Sequence, residues 1–179
     1  HGLIPVAKAA VAAGADWLGT ALLEEGLALR AAGVKAPLIC WLTPIGEEFK
    51  LAIKQDIDLS VSSLQQLREI YAASLRVGLI ARVHLKVDTG MSRSGALDEF
   101  PEIVSELNRL TSANEIELVG TWSHFACADE PAHPRLPRGR PRHAGARCGT
   151  GRGAAARTRA GAPLAAGDRA GPGRLAARA

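Results

Sequence analysis

The feature that most constrains the fold is a regular succession of short apolar segments and longer amphipathic segments. The apolar runs predict buried strands at residues 17–21, 37–42, 57–61, 79–87 and 116–123. Apolar residues at helical spacing predict helices at residues 3–13, 22–32, 45–54, 63–75 and 97–110. Strand followed by helix at this spacing predicts an α/β fold with parallel strands, either a barrel or a doubly wound sheet.

The first predicted helix has no strand before it, although a strand–helix unit would supply one. Its apolar residues lie on one stripe, which consists of Leu3, Val6, Ala7, Ala10 and Val11. An eight-stranded barrel takes about 250 residues. The first 134 residues therefore predict little more than half of a barrel, one that begins inside its first unit.

Charge divides the chain into a body and a tail. Residues 1–134 carry 11 Lys and Arg against 17 Asp and Glu, a net charge of −6, whereas residues 135–179 carry 11 Arg and one acid, Asp168, a net of +10. In the tail, 37 of 45 residues are Ala, Arg, Gly or Pro, which predicts a disordered low-complexity segment. These residue types have GC-rich codons, so we expect a frameshift near Pro134. The alternative is a natural Arg-rich tail that binds nucleic acid, but the tail has no aromatic residue for base stacking.

Other features narrow the compartment and the kind of site. Neither a run of about 18 apolar residues nor a leader pattern is present, so we expect no membrane association and a cytoplasmic location. Cys40, Cys127 and Cys148 have neither paired nor metal-ligand spacing. We therefore expect free thiols and no metal site.

One strand combines an apolar face with a charged face. Arg82, His84, Lys86 and Asp88 alternate with apolar residues, which in a parallel sheet indicates side chains directed into a polar site. A glycine-flanked loop containing Arg93 follows, at the strand end where barrel enzymes build their active sites. The basic residues suit an anionic ligand; the alternative is a structural ion-pair cluster such as Lys86 with Asp88.

The next strand ends at His124, which should share an edge of the sheet with Arg93. A lone histidine at a strand end is more often structural. Its place beside Arg93 makes His124 a candidate site residue.

Three runs resemble motifs of one enzyme family. The run His84-Leu85-Lys86-Val87-Asp88-Thr89-Gly90-Met91-Ser92-Arg93-Ser94-Gly95 resembles the H-L-K-x-D-T-G-M-x-R-x-G signature of alanine racemases. The segment Ser123-His124-Phe125-Ala126-Cys127-Ala128-Asp129-Glu130 is similar to their [ST]-H-F-A-x-A-D-E segment, and His1-Gly2 matches the end of K-A-N-A-Y-G-H-G. The resemblance covers residues 1 to about 134, and it implies a partial (β/α)8 TIM-type barrel of pyridoxal-phosphate fold type III.

The resemblance also implies a chemistry. Members interconvert L- and D-alanine through a Schiff base of pyridoxal 5'-phosphate, which supplies D-alanine for cell-wall peptidoglycan, and they act as homodimers. Transferred by motif, Arg93 would hydrogen-bond the phenolic oxygen of the cofactor, and His124 would lie near its pyridine ring. Lys86 would support Arg93, in many relatives as a carbamylated N6-carboxylysine, and Asp88 belongs to the same supporting group.

Both proton-transfer bases that the family uses lie outside these residues. The Schiff-base lysine should stand six residues before His1, and the tyrosine base belongs to a C-terminal domain. We therefore expect the full-length relative to be a racemase and this chain alone to be inactive and unable to close its barrel. Other racemases of the same fold, such as serine racemases, a non-catalytic carrier of pyridoxal phosphate and a pseudogene product stay open as alternatives.

Overall fold

A computed structural model describes residues 1–126, which form a sheet of five parallel strands joined by helices. The order along the chain is α1 Leu3–Ala12, β1 Leu18–Thr20, α2 Leu23–Ala31, β2 Leu38–Cys40, α3 Phe49–Lys54, β3 Asp58–Val61, α4 Leu64–Val77, β4 Ala81–Val87, α5 Phe100–Ser112 and β5 Ile116–Ser123. Each strand pairs with the next one in sequence, so the sheet order is β1-β2-β3-β4-β5. The predicted alternation of parallel strands and helices is confirmed. The tail, its boundary near Pro134, Cys127 and Cys148 lie outside the described residues.

The ends of α4 follow directly from its sequence. Ser63 accepts a hydrogen bond from the Gln66 amide at the helix start, which satisfies a donor that the first turn leaves free. Gly78 ends the helix at a φ of 67°, in the left-handed region that a glycine adopts at low cost. Serine and glycine are the residue types typical of these two positions.

Helix α3 is shorter than predicted. It begins at Phe49 instead of Ile45, because residues 45–46 form a turn and residues 47–48 are not helical. Gly46 has a φ of 86°, and its amide donates to the Glu69 carboxylate at 2.8 Å. The apolar pattern alone did not reveal this competing partner, so the predicted start was wrong.

Helix α1 is present as predicted, but its apolar stripe is largely exposed within the described residues. Only Ala7 is buried, and Leu3, Val6 and Val11 are 39%, 51% and 39% exposed. In this part of the chain α1 packs mainly against α2. The pattern identified the apolar face of the helix, but it could not identify what covers that face.

The two faces of the sheet have different compositions. Alternate residues of β3 and β4 enter the hydrophobic core together with residues of α4 and α5, namely Leu59, Val61, Val83, Leu85, Leu67, Ile70, Ile103 and Leu107. The intervening residues form a polar face that includes Asp58, Ser60, Arg82, His84 and Lys86. The charged face predicted for β4 is thus present, and most of it is buried.

An ion-pair cluster occupies the part of this polar face near the amino ends of β3 and β4. Asp58 is 2% exposed and contacts Arg82 Nε and His84 Nε2, each at 2.8 Å. The hydrogen bond to Asp58 is the main reason that the pKa of Arg82 is raised. Gly120 lies opposite His84 in β5, where a Cβ atom would come within 3.3 Å of His84 Nδ1. The missing side chain therefore makes room for the imidazole.

Candidate functional site

The candidate site lies where β4 and β5 end. The two strands are parallel and paired up to Val87 and Ser123, so the segments that follow them leave the same edge of the sheet. Arg93 lies in the first of these segments and His124 begins the second, and both are exposed. The predicted common edge is confirmed.

The loop that carries Arg93 is closed at its base by backbone hydrogen bonds. The Asp88 amide donates to Ala96 O at 3.0 Å, and the Ala96 amide donates to Lys86 O at 2.7 Å. Inside the loop, Asp88 Oδ1 accepts from the amides of Gly90 at 2.8 Å and Ser92 at 3.2 Å. These backbone donors, that of Gly90 first, lower the pKa of Asp88. Asp88 therefore shapes the loop from within.

Gly95 allows the loop to close so tightly. Its φ is 130°, and a Cβ atom built there would lie 2.5 Å from the Asp88 nitrogen and 2.8 Å from the Val87 carbonyl carbon. Backbone atoms cannot rotate away as the end of a side chain can. A glycine is therefore required at this position for steric as well as conformational reasons.

Lys86 lies beneath the loop with its amine almost enclosed. The residue is 2% exposed, its Nζ donates to Ser94 Oγ, and Nζ lies 4.8 Å from the centre of the Trp122 ring. Burial lowers the pKa of Lys86, the positive charge of Arg93 lowers it further, and Asp88 opposes both. Within residues 1–126 no salt bridge joins Lys86 to Asp88, whereas Arg82 and His84 of the same strand do form a structural ion-pair cluster with Asp58.

A pair of hydroxyl groups joins the two segments. Thr89 Oγ1 and Ser123 Oγ are 2.7 Å apart, and Thr89 Oγ1 is 3.5 Å from the carbonyl oxygen of His124. This contact was not predicted from the sequence, because it depends on the register between β4 and β5. The hydroxyl residues after one strand and at the end of the next were the available signal.

A cavity of about 310 Å³ opens beside the loop. Its lining comes from the ends of β2 and β3 and from the loop, and it includes Trp41, Pro44, Ile45, Ser62, Gln66 and Ser94. The buried Gln66 amide donates to Thr43 Oγ1 at 2.6 Å and to the Thr43 carbonyl, and it accepts from the Ser62 amide at 2.7 Å. Gln66 thus joins the ends of two strands. The spacing Ser63-x-x-Gln66, typical of a helix start, was the sequence signal for it.

A metal-binding cluster and a membrane-spanning helix are both absent from the described residues. Between residues 1 and 126, no three His, Cys, Asp or Glu side chains are grouped so as to hold a metal ion. None of the helices in that range has the length and apolar character needed to cross a membrane.

Comparison with known proteins agrees with the motifs. The family model "Alanine racemase, N-terminal domain" matches residues 1–144. Alanine racemase of Frankia casuarinae is 52% identical over 137 residues, which are 76% of this chain and 36% of the relative, and that of Beutenbergia cavernae is 51% identical over 131 residues, 73% and 35%. The chain thus spans little more than a third of the length of the curated relatives it matches.

Solved structures give the same result for the fold. The crystal structure of alanine racemase from Streptomyces lavendulae matches with a TM-score of 0.73 and 46% identity, over 76% of this chain and 36% of that one. The enzyme from Streptomyces coelicolor also gives a TM-score of 0.73, at 43% identity over 76% of this chain and 37% of that one. The five strands therefore correspond to part of the TIM-type barrel of those enzymes. By sequence, motif and fold, the chain belongs to the alanine racemase family and corresponds to part of its N-terminal domain.

Proposed function

We propose that this chain supplies part of the cofactor-binding barrel of a pyridoxal-phosphate-dependent alanine racemase, which makes D-alanine for the cell wall. The observation that carries the proposal is the common edge of the sheet at which Arg93 and His124 lie, with the Lys86 amine below the Arg93 loop. The names of the relatives favour alanine over serine as the substrate. A catalytic enzyme is likewise favoured over a carrier, and we place the enzyme in the cytoplasm as a homodimer.

The residues at this edge fit an anionic cofactor. Lys86 and Arg93 bring two positive charges close enough for Arg93 to lower the pKa of Lys86. An anionic phenolic oxygen beside Arg93 would offset that repulsion. Arg93 is exposed and always charged, so its guanidinium is available to donate to such an oxygen.

Each side chain has a distinct part in holding the cofactor. Arg93 would hydrogen-bond the phenolic oxygen, and His124 would lie beside the pyridine ring. Lys86 would support Arg93, either as the carbamylated anion that pairs with it or as a cation that Ser94 and the Trp122 ring stabilise. Asp88 fixes the loop through the amides of Gly90 and Ser92.

When bound, pyridoxal phosphate supplies an electron sink that lowers the cost of removing the α-proton of an amino acid. The described residues orient the cofactor and supply positive charge, and they include neither of the two bases that the family uses to move the proton. We therefore propose that the 179-residue chain by itself does not racemise alanine. A coupled assay for D-alanine on the purified chain tests this point, and turnover above the buffer rate would refute it.

Titration of the 179-residue chain with pyridoxal phosphate tests the cofactor role. Binding should shift the cofactor's absorbance band. Arg93→Ala should weaken binding about tenfold, since a hydrogen bond to a charged group contributes about 1.5–3 kcal/mol in protected settings and less at an exposed one. Arg76→Ala, which removes an exposed arginine from the last turn of α4, is the matched control. Equal affinity of the parent and Arg93→Ala would remove Arg93 from the site.

The racemase assignment needs the remainder of the enzyme. Residues 1–126 can replace the matching segment of the Streptomyces coelicolor relative, and the chimera can be tested for growth rescue of a strain that requires D-alanine. We expect rescue by the parent chimera and a loss of turnover in its Arg93→Ala variant. Turnover of serine in preference to alanine would contradict the proposed substrate.

A further inference from the structure

We propose that Thr89 and Ser123 are positioning residues, whose paired hydroxyls fix the Arg93 loop relative to the His124 segment. The inference rests on the proposed function for its consequence, but its physical basis is independent of it. The two hydroxyls are 2.7 Å apart and partly buried, and they join residues 34 positions apart in the sequence.

Thr89 also contacts the backbone of the second segment. Its hydroxyl lies 3.5 Å from the carbonyl oxygen of His124, which can only accept, whereas either hydroxyl of the closer pair can be the donor. The Arg93 loop thus binds both the last residue of β5 and the backbone of the candidate site residue after it.

The position of the pair explains why it matters for the site. The ladder between β4 and β5 ends at Val87 and Ser123, so beyond these residues the paired backbones no longer fix the two segments. The loop is held internally by Asp88 and at its base by Ala96, but both contacts are local to the loop. Among the described residues, the hydroxyl pair and the longer contact of Thr89 with the His124 carbonyl are the side-chain hydrogen bonds that join the two segments past the end of the ladder.

Pairing of this kind should make the two segments open together. Without Ser123 Oγ, the longer contact of Thr89 with the His124 carbonyl is left to hold the loop to the second segment. Loss of the Thr89 hydroxyl removes both contacts, so it should have the same effect as loss of both hydroxyls. A hydroxyl elsewhere on the surface should have none.

Amide hydrogen exchange of the 179-residue chain tests the inference without any cofactor. Ser123→Ala and Thr89→Val should each accelerate exchange at Gly90, Ser92 and His124 by about three- to tenfold, the range expected for one hydrogen bond of typical net strength. The double variant should exchange no faster than Thr89→Val, which already removes both contacts. Ser123→Thr, which keeps a hydroxyl, should resemble the parent, and Ser105→Ala on the exposed side of α5 is the control.

Two results would overturn the inference. One is exchange in Ser123→Ala and Thr89→Val equal to that in Ser105→Ala. The other is equal acceleration by Ser123→Ala and Ser123→Thr, which would point to packing instead of hydrogen bonding. Variants that unfold lose protection from exchange throughout the sheet, which distinguishes unfolding from local opening. In that case Ser123→Thr tests the role of the hydroxyl, because a folded Ser123→Thr variant with parent-like exchange supports that role.

A parallel titration with pyridoxal phosphate separates this inference from the proposed function. If the parent binds the cofactor, Ser123→Ala should weaken binding by about the same factor and Ser123→Thr should restore it. A parent that does not bind refutes cofactor binding by this chain and leaves the exchange result standing. Cofactor binding with unchanged exchange in the variants refutes the positioning role alone.

Discussion

Replacement of Gly95 by alanine should disrupt the Arg93 loop more than any ordinary glycine substitution. A Cβ atom at this position would lie 2.5 Å from the Asp88 nitrogen and 2.8 Å from the Val87 carbonyl carbon. The backbone φ of 130° adds a conformational cost of about 1–3 kcal/mol, and the steric overlap adds about 1–3 kcal/mol. We therefore expect Gly95→Ala to lower the free energy of unfolding by roughly 2–6 kcal/mol, unless the loop opens and gives up its closing hydrogen bonds.

Gly78 provides a matched control for the conformational part. Its φ of 67° is also positive, but no heavy atom lies within 4 Å of the Cβ position. Gly78→Ala should therefore cost about 1 kcal/mol, the penalty for an alanine in the left-handed region. The difference between the two variants isolates the steric overlap at Gly95.

Urea unfolding of the 179-residue chain, followed by tryptophan fluorescence, measures both variants. Trp17, Trp41 and Trp122 all lie in or beside the described strands, so they report on the sheet. Faster amide exchange at Gly90 and Ser92 in folded Gly95→Ala would identify relief by loop opening. A Gly95→Ala variant as stable as Gly78→Ala, with parent-like loop exchange, would refute the reasoning.

Three further predictions concern other parts of the molecule. Arg30 donates to the carbonyl oxygens of four loop residues at 2.8–2.9 Å, so Arg30→Met should lower the free energy of unfolding by about 2 kcal/mol in urea titrations, whereas Arg76→Met should change it little. The pKa of Asp88 is lowered by folding, so its contribution to stability is present above the unfolded value of about 4 and is lost as the pH falls through the folded value. Asp88→Asn should therefore reduce the loss of unfolding midpoint between about pH 6 and about pH 3, and an unchanged loss would exclude Asp88 as its source. Burial raises the pKa of Cys40 to about 11, so in a background that lacks the other two cysteines the native chain should react with a thiol reagent at neutral pH only on unfolding; rapid reaction of the folded chain would contradict its burial.

The fold was predictable because its signals are local. Strand and helix types follow from the spacing of apolar residues, and the start and end of α4 follow from Ser63 and Gly78. The start of α3 was not predictable in the same way, because Glu69 on a different helix binds the Gly46 amide. What covers α1 was likewise beyond reach, since a helical stripe carries no information about its partner.

The candidate site divides along the same line. The common edge of Arg93 and His124 was predictable, because parallel strands bring their carboxyl ends together and each residue follows one strand end. The contact of Lys86 with Trp122 and the pair formed by Thr89 and Ser123 were not predictable. Both depend on register, and β4 and β5 change register between Val83 and His84, a shift that no residue pattern announces.

The strands of the sheet differ in how many neighbouring strands hold them in place. In the part of the chain that the structure describes, β2, β3 and β4 have a strand on each side, whereas β1 and β5 are each paired along one side only. Thermal opening of such a ladder begins at its margins, because a marginal strand leaves by breaking one row of bonds and a central strand must break two. His84 and Lys86 therefore lie on a strand with a neighbour on each side, whereas His124 follows a marginal one. A partner strand that paired with the outer side of β5 would slow the opening of β5. It would thereby slow the motion of the His124 imidazole without contacting it.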